Sequence, residues 1–425
     1  MKYSIADIYA LFCQHPCIST DSRRCPKDSI FLALKGENFN GNRFAAASLE
    51  AGCAYAIVDE AEFANNERII LVDNCLKTLQ DLAHHHRMQF KDLPVIGITG
   101  TNGKTTTKEL SAAVLAKKFN VLYTQGNLNN HIGVPLTLLQ LRPEHNLAII
   151  EMGANHPGEI AELVEIVHPT HGLITNVGKA HLEGFGSFQG VIDTKTALYR
   201  FLQKEQGLVF YNPENEILSA YAQAGLSQAY IAAKYLEGSQ YLHMTWQGEA
   251  GEHLLETQLI GAYNAENVRA AISLGLHFGV EEAAINEAIQ EYRPSNKRSQ
   301  WMESAHNQLI VDAYNANPSS MNAALDNFLP RPADKKKAVI LGTMRELGAY
   351  SQEEHERIIN RLLASDLESI LLIGEEFGQV NDARVRQFQD SDNCRKALET
   401  DPLQGYCILI KGSRSNQLEK LIDLL

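Results

Sequence analysis

Gly97-Ile98-Thr99-Gly100-Thr101-Asn102-Gly103-Lys104-Thr105 follows a short apolar run and opens a helical pattern. That is the context a phosphate loop needs. Glycines let backbone N–H groups approach phosphate oxygens, and the start of a helix adds its positive end. Lys104 is suited to the β- and γ-phosphates, and the Thr105 hydroxyl to Mg²⁺, with Thr106 beside it. The spacing is tighter than the general GxxxxGK[ST] pattern, because Ile98 stands where that pattern has glycine. The loop indicates a nucleoside triphosphate without naming a reaction.

Two further apolar runs end in reactive residues. Glu151 closes the run 147–151, and His181 follows Thr175-Asn176-Val177-Gly178 after the run 172–176. A carboxylate at a strand's carboxyl edge beside a phosphate loop is where a metal ligand is expected. Lysine and threonine, glutamate and histidine at three strand ends suggest one site.

The elements that must position these residues fall into three segments. Residues 1–92 have short apolar runs, 29–34 and 54–58, broken by Gly and Asn turns, and read as a small α/β domain. Residues 93–293 alternate strands (95–99, 147–151, 172–176, 207–211) with helices (105–118, 158–167, 190–203), which predicts a largely parallel sheet with helices on both faces. A hairpin at 242–259 and a helix at 263–278 complete this segment. Residues 294–425 repeat the alternation, with strands at 309–313, 337–342, 369–374 and 407–411 and helices at 319–328, 352–365 and 417–425. The pattern predicts a separate doubly wound domain.

Composition narrows the class. The 425 residues are 44% hydrophobic and 21% charged, as in globular proteins. No apolar run approaches the ~18 residues of a membrane span, and the N-terminus lacks a signal-peptide pattern. A net charge of −13 argues against a general nucleic-acid or membrane-surface binder. Seven scattered cysteines, an odd number, read as reduced thiols of a cytoplasmic protein. Cys13, Cys17 and Cys25 lack paired metal-ligand spacing. His84, His85 and His86, on a predicted helix 76–88, read as a solvated helix end.

Taken together, several blocks resemble the Mur ligase family, the ATP-dependent amide-forming synthetases of peptidoglycan precursors. They are the loop 99–106, Glu151, the block 180–183, the Asn264-to-Asn267 block 261–271 and the block Asp312-Ala-Tyr-Asn-Ala-Asn-Pro318. Residues 126–135, 151–160, 312–318 and 410–414 are similar to the branch that joins D-alanyl-D-alanine to UDP-N-acetylmuramoyl-tripeptide.

The resemblance implies a UDP-binding domain (1–92), a central P-loop-type ATPase domain (93–293) and a Rossmann-like C-terminal domain that binds the dipeptide and part of the nucleotide (294–425). It implies that Glu151 and His181 join Thr105 as ligands of one or two Mg²⁺, and that Lys195 is a carbamylated ligand. Asn267, with Asn264 nearby, would contact adenine, Asp312 the ribose, and Arg298 the phosphates. Lys297 stands where the family usually has Gly before that Arg. Ser22 and Arg23 would hold UDP, with Asn42 where the family often has His. Asn127 and Asn130 would contact the peptide, and Asn315, Asn317 and Arg414 the incoming dipeptide or the closing domain. The expected enzyme is a monomer with a small basic, Mg²⁺-filled cleft. The alternatives are diamino-acid addition, a folate- or cyanophycin-type relative, a nucleotide-driven switch, and a structural protein that merely retains an ATP fold, the last disfavoured by intact Lys, Thr, Glu and His ligands.

Overall fold

The computed structural model describes residues 3–294, 299–331 and 334–425. Arg298 therefore lies outside the described residues. The chain builds three parallel or mostly parallel sheets in succession, with a small antiparallel sheet added to the middle one.

The first sheet has four parallel strands in the order Ile18–Ser19, Ile30–Leu32, Tyr55–Val58, Ile69–Leu71. Its N-terminal helix, Ile5–Gln14, starts at a capping box in which Ser4 and Asp7 satisfy each other's backbone N–H groups. The helix Cys75–Arg87 is capped by Asn74.

That helix joins the first segment to the second. Arg87 is buried, and its guanidinium donates to the carbonyls of Phe90 at 2.5 Å, Val167 at 3.2 Å and His168 at 3.1 Å. Val167 ends the helix Glu159–Val167, so Arg87 places a cation on carbonyls that the helix itself leaves unpaired. Burial pulls the guanidinium down to about 10. His86 departs from the expected solvated helix end. It is buried and bonds the Leu141 carbonyl at 3.0 Å and the Tyr9 hydroxyl at 3.1 Å. The three histidines follow one another, so the helix turns His86 inward while the other two stay half-buried.

The central sheet is all-parallel, in the order Ser227–Ala229, Leu208–Tyr211, His171–Ile174, Val95–Thr99, Leu147–Glu151, Val121–Tyr123. From Val95–Thr99 the chain goes to the edge strand Val121–Tyr123, returns to Leu147–Glu151 beside it, and then crosses to the other side. The carboxyl end of Val95–Thr99 is thus a topological switch point, where such sheets bind ligands. One face packs in a core continuous with the first segment. The other is covered by Lys104–Leu115, Ala265–His277 and Glu282–Glu291. Lys104–Leu115 and Ala265–His277 approach closely at Gly275, where a Cβ would come within 2.6 Å of Val114 Cγ1.

Two expectations change here. The stretch 190–203 is two helices, Phe188–Lys195 and Ala197–Lys204, and the Thr196 hydroxyl between them donates back to the Ile192 carbonyl at 2.8 Å. The hairpin gains a third strand, Ala233–Leu236.

The third sheet runs Gln300–Glu303, Gln308–Asp312, Tyr406–Lys411, Lys336–Gly342, Ser369–Ile373, Val385–Phe388. The first pair is antiparallel and the rest are parallel, with apolar cores on both faces. The C-terminal stretch Leu418–Leu424 is 3₁₀ rather than α-helix. Among the described residues no helix is long and apolar enough to cross a membrane.

Arg87 yields a prediction. Arg87→Met leaves several buried carbonyls without donors and should destabilise the protein by about 3 kcal/mol. Urea unfolding followed by fluorescence would measure this, and a change under about 0.5 kcal/mol would mean that the guanidinium does not pin the two segments.

Candidate active site

The switch point opens into a cleft of about 830 Å³ lined by all three segments. Its floor is the phosphate loop. Gly100 and Gly103 have φ of +144° and +80°, which non-glycine residues avoid. Both also sit against neighbours, since a Cβ would meet Thr175 Oγ1 at 2.0 Å on Gly100 and Asn267 Oδ1 at 2.5 Å on Gly103. The neighbouring strand end grips the loop. Thr101 N donates to the Asn176 carbonyl at 2.9 Å, Asn102 N to Asn176 Oδ1 at 3.0 Å, and the Thr175 hydroxyl to the Asn102 carbonyl at 2.6 Å. With its carbonyls tied down, the loop leads into helix Lys104–Leu115, whose first N–H groups have no intrahelical acceptor. Lys104 Nζ donates to the Gly100 and Thr101 carbonyls at 2.8 and 3.1 Å.

Glu151 sits beside this helix end, only 1% exposed. Its Oε1 accepts from Asn129 Nδ2 at 2.8 Å and from the Thr105 hydroxyl at 3.3 Å. Its Oε2 is buried without a hydrogen-bond donor. A buried carboxylate oxygen without a donor is costly. Hard oxygens converging beside an anion-binding loop fit Mg²⁺, which takes one or two protein ligands and fills its shell with waters and phosphates. Among the described residues no group of three His, Cys, Asp or Glu side chains forms a dedicated metal cluster.

His181 lies across the cleft with φ +51° at the start of the short helix Leu182–Phe185. Its Nδ1 meets the Glu346 carboxylate of the third segment. Burial lowers the imidazole's pKa, and Glu346 acts against that shift. Lys195 is buried behind the cleft, with Nζ 3.4 Å from the Ala154 carbonyl and 5.5 Å from the Phe185 ring centroid. Burial holds its pKa well below the ordinary lysine value. The Lys104 charge acts in the same direction and Glu159 opposes both.

The third segment contributes Asp312 and Lys411, paired in register on adjacent strands. Lys411 is 1% exposed and donates to Asp312 Oδ2 at 2.5 Å and to the Asn315 carbonyl at 3.2 Å. Asn317 caps the helix Pro318–Phe328 and donates from Nδ2 to Asn102 Oδ1 of the phosphate loop at 2.8 Å. Lys179 Nζ bonds Glu354 at 2.8 Å. The third segment therefore touches the loop directly.

Thr101, Asn102, Gly103, Lys104, Thr105, Thr106, Asn127, Asn130, Glu151, His181, Asn264, Asn267, Asp312 and Asn315 all line the cleft. Asn264 and Asn267 bond each other, and Asn267 Oδ1 also accepts from the Thr107 hydroxyl at 2.9 Å. Gly100, Lys195 and Asn317 support its wall from behind. Ser22, Arg23 and Arg414 lie outside the lining. Arg23 is exposed and paired to Asp21 at 2.9 Å. Asn42 is buried and bonded to Asp59.

Sequence reading missed Asn176, Glu346 and Lys411. Lys411 stood in a quoted block, but its role needed the strand register. The expected basic cleft is also corrected. Among the described lining residues Glu151, Glu159, Glu162, Asp312 and Glu346 outnumber Lys104 and Lys411. Positive potential for an anion here comes from backbone N–H groups at the helix start and from Lys104 rather than from a basic surface, since Lys411 is paired with Asp312.

The close approach at Gly103 sets a test. Gly103→Ala should weaken ADP binding about tenfold or more, through strain and displacement of Asn267. Gly378→Ala, at φ +61° with nothing within 4 Å of its Cβ, should leave ADP binding unchanged. Equal calorimetric titrations for both would refute the packing argument.

Three family models match the chain: "Mur ligase family, catalytic domain" over residues 16–87, "Mur ligase middle domain" over 98–275, and "Mur ligase, glutamate ligase domain" over 297–414. Among curated relatives, the UDP-N-acetylmuramoyl-tripeptide--D-alanyl-D-alanine ligase of Synechocystis is 35% identical, over 96% of this chain and 91% of that protein. The ligase of the same name from Escherichia coli is 33% identical over 96% and 93%. A crystal structure of MurF from Acinetobacter baumannii superposes with a TM-score of 0.86 at 32% identity, covering 96% of this chain and 92% of that one. MurF ligase from Thermotoga maritima in complex with ADP gives 0.84 at 25% identity, over 96% of each chain. With its three segments meeting at one phosphate-loop cleft and these full-length similarities, the chain belongs to the Mur ligase family.

Proposed function

We infer that the chain is an ATP-dependent amide ligase that joins D-alanyl-D-alanine to UDP-N-acetylmuramoyl-tripeptide. The observation that carries this reading is the meeting of the phosphate loop, Glu151, His181 and the Asp312–Lys411 pair in one cleft. Full-length similarity to ligases of that name supports it.

In this reading residues 1–92 hold the UDP portion through Ser22 and Arg23, residues 93–293 hold ATP, and residues 294–425 bring the dipeptide and the far side of the nucleotide. A monomer working in the cytoplasm fits these roles. The tripeptide's terminal carboxylate attacks the γ-phosphorus, ADP leaves, and an acyl phosphate forms. The dipeptide amine then attacks the acyl carbon, and phosphate leaves from the tetrahedral intermediate with the former carboxylate oxygen.

Lys104 and the first N–H groups of the helix Lys104–Leu115 hold the phosphates, and Arg298 adds a further charge. Thr105, Glu151 and His181 would hold Mg²⁺, which when bound supplies charge neutralisation at the transferred phosphoryl group. Asp312, fixed by Lys411, faces the nucleotide's sugar, and Asn264 and Asn267 lie on its base side. Asn127 and Asn130 face the peptide. Asn315, Asn317 and Arg414 serve the dipeptide or domain closure, with Asn317 reading the loop through Asn102.

Lys195 has the environment that carbamylation requires, because only a neutral amine attacks CO₂ and burial favours the neutral form. Incubation with ¹³C-bicarbonate should give a carbamate signal in ¹³C NMR that Lys195→Ala lacks, whereas the same signal in both proteins would assign it elsewhere.

Phosphate release should require ATP, UDP-N-acetylmuramoyl-tripeptide and D-alanyl-D-alanine together, and should fall by roughly a thousandfold in Lys104→Ala. ATP turnover independent of the dipeptide would instead favour a nucleotide switch. Preference for a free diamino acid would move the chain to another branch of the family.

A further inference from the structure

The helix that begins at Lys104 carries a second lysine for which the mechanism above has no use. Lys108 lies one turn beyond Thr105 on the same face of Lys104–Leu115, and it is fully buried. Its Nζ stands 3.9 Å from Glu151 Oε2 and 3.7 Å from Glu109 Oε1. It also lies 5.8 Å from the Tyr123 ring centroid. Glu109 is held in turn by the Tyr292 hydroxyl, which donates to its Oε2 at 2.6 Å. A buried ammonium this close to two carboxylates is kept there by charge, since burying it alone would be prohibitive.

The two oxygens of Glu151 are treated differently. Oε1 is bonded by Asn129 and Thr105, whereas Oε2 has no hydrogen-bond donor and faces Lys108 at more than contact distance. We propose that Lys108 is a positioning residue, a fixed buried counter-charge that holds the Glu151 carboxylate in the plane that presents it, with the Thr105 hydroxyl, to the divalent cation. Glu109 and Tyr292 restrain Lys108 from the far side, so that it stops short of a direct hydrogen bond to Glu151 and leaves that carboxylate open to the cation. Metal-ligating carboxylates commonly depend on such outer partners. The proposal rests on the reading of Thr105 and Glu151 as cation ligands.

Mn²⁺ serves as the probe, bound to the full-length protein in the presence of ADP and followed by electron paramagnetic resonance. Lys108→Met should weaken Mn²⁺ binding about 10- to 100-fold. Its affinity for ADP measured in EDTA should stay within about twofold of the unaltered protein, a split that general damage to the fold would not give. Glu109→Gln provides a second variant, needed if Lys108→Met does not fold. It leaves Lys108 with one carboxylate, lets it close onto Glu151, and should weaken Mn²⁺ binding by roughly threefold or more. Unchanged or tighter Mn²⁺ binding in the variants that fold, or an equal loss of metal-free ADP binding, would overturn the proposal. If the unaltered protein with ADP takes up no Mn²⁺, the cation-site reading falls, and the Lys108 proposal with it. If it takes up Mn²⁺ and the variants match it, only the Lys108 proposal falls.

Discussion

A carboxylate that must attack a triphosphate approaches a group of its own sign. At about 4 Å and an effective dielectric near 20, each pair of unit charges costs roughly 4 kcal/mol. The protein carries a net charge of −13, and its cleft is lined by more carboxylates than lysines. Bulk charge therefore works against the encounter, and local arrangement has to overcome it. The arrangement is a loop whose carbonyls are tied down by Lys104 and Thr175, a helix start behind it, and a buried carboxylate set beside a threonine hydroxyl. These are fixed dipoles and a cation site, which stabilise charge without reorganising when it develops.

The rest of the fold serves to hold those few atoms still. Placing Val95–Thr99 inside the parallel sheet puts the loop between two strand ends, one bearing Glu151 and the other gripping Thr101 and Asn102. The first segment is locked to the central one through a shared core and the buried Arg87. The third segment reaches the loop through paired amides and reaches His181 through Glu346. Ile260 and Tyr241 of the central segment pack in its apolar core, and polar contacts such as Lys179 with Glu354 complete the attachment. Polar contacts between domains are the kind that open and close.

Much of this was legible in the residues. Strands that end in Thr99, Glu151 and Ile174 are continuous apolar runs buried on both faces, and such runs announce a parallel sheet. The phosphate loop announces itself by glycine spacing. What was hidden depended on register or on small energies. The Asp312–Lys411 pair joins residues 99 positions apart and appears only once two strands are aligned. His86 read as solvated because three successive histidines give no sign of which one faces the core. The break at Thr196, whose hydroxyl bonds the Ile192 carbonyl, leaves no mark in the apolar pattern. The basic cleft was expected because anions need positive charge, but backbone dipoles carry no signature in composition.

In this mechanism a carboxylate oxygen becomes part of the departing phosphate. It can be followed directly by giving the protein UDP-N-acetylmuramoyl-tripeptide labelled with ¹⁸O in its terminal carboxylate, together with ATP and D-alanyl-D-alanine. Mass spectrometry of the inorganic phosphate should find one ¹⁸O atom transferred per amide bond formed. Phosphate released without label, while the amide product accumulates, would contradict the acyl-phosphate route.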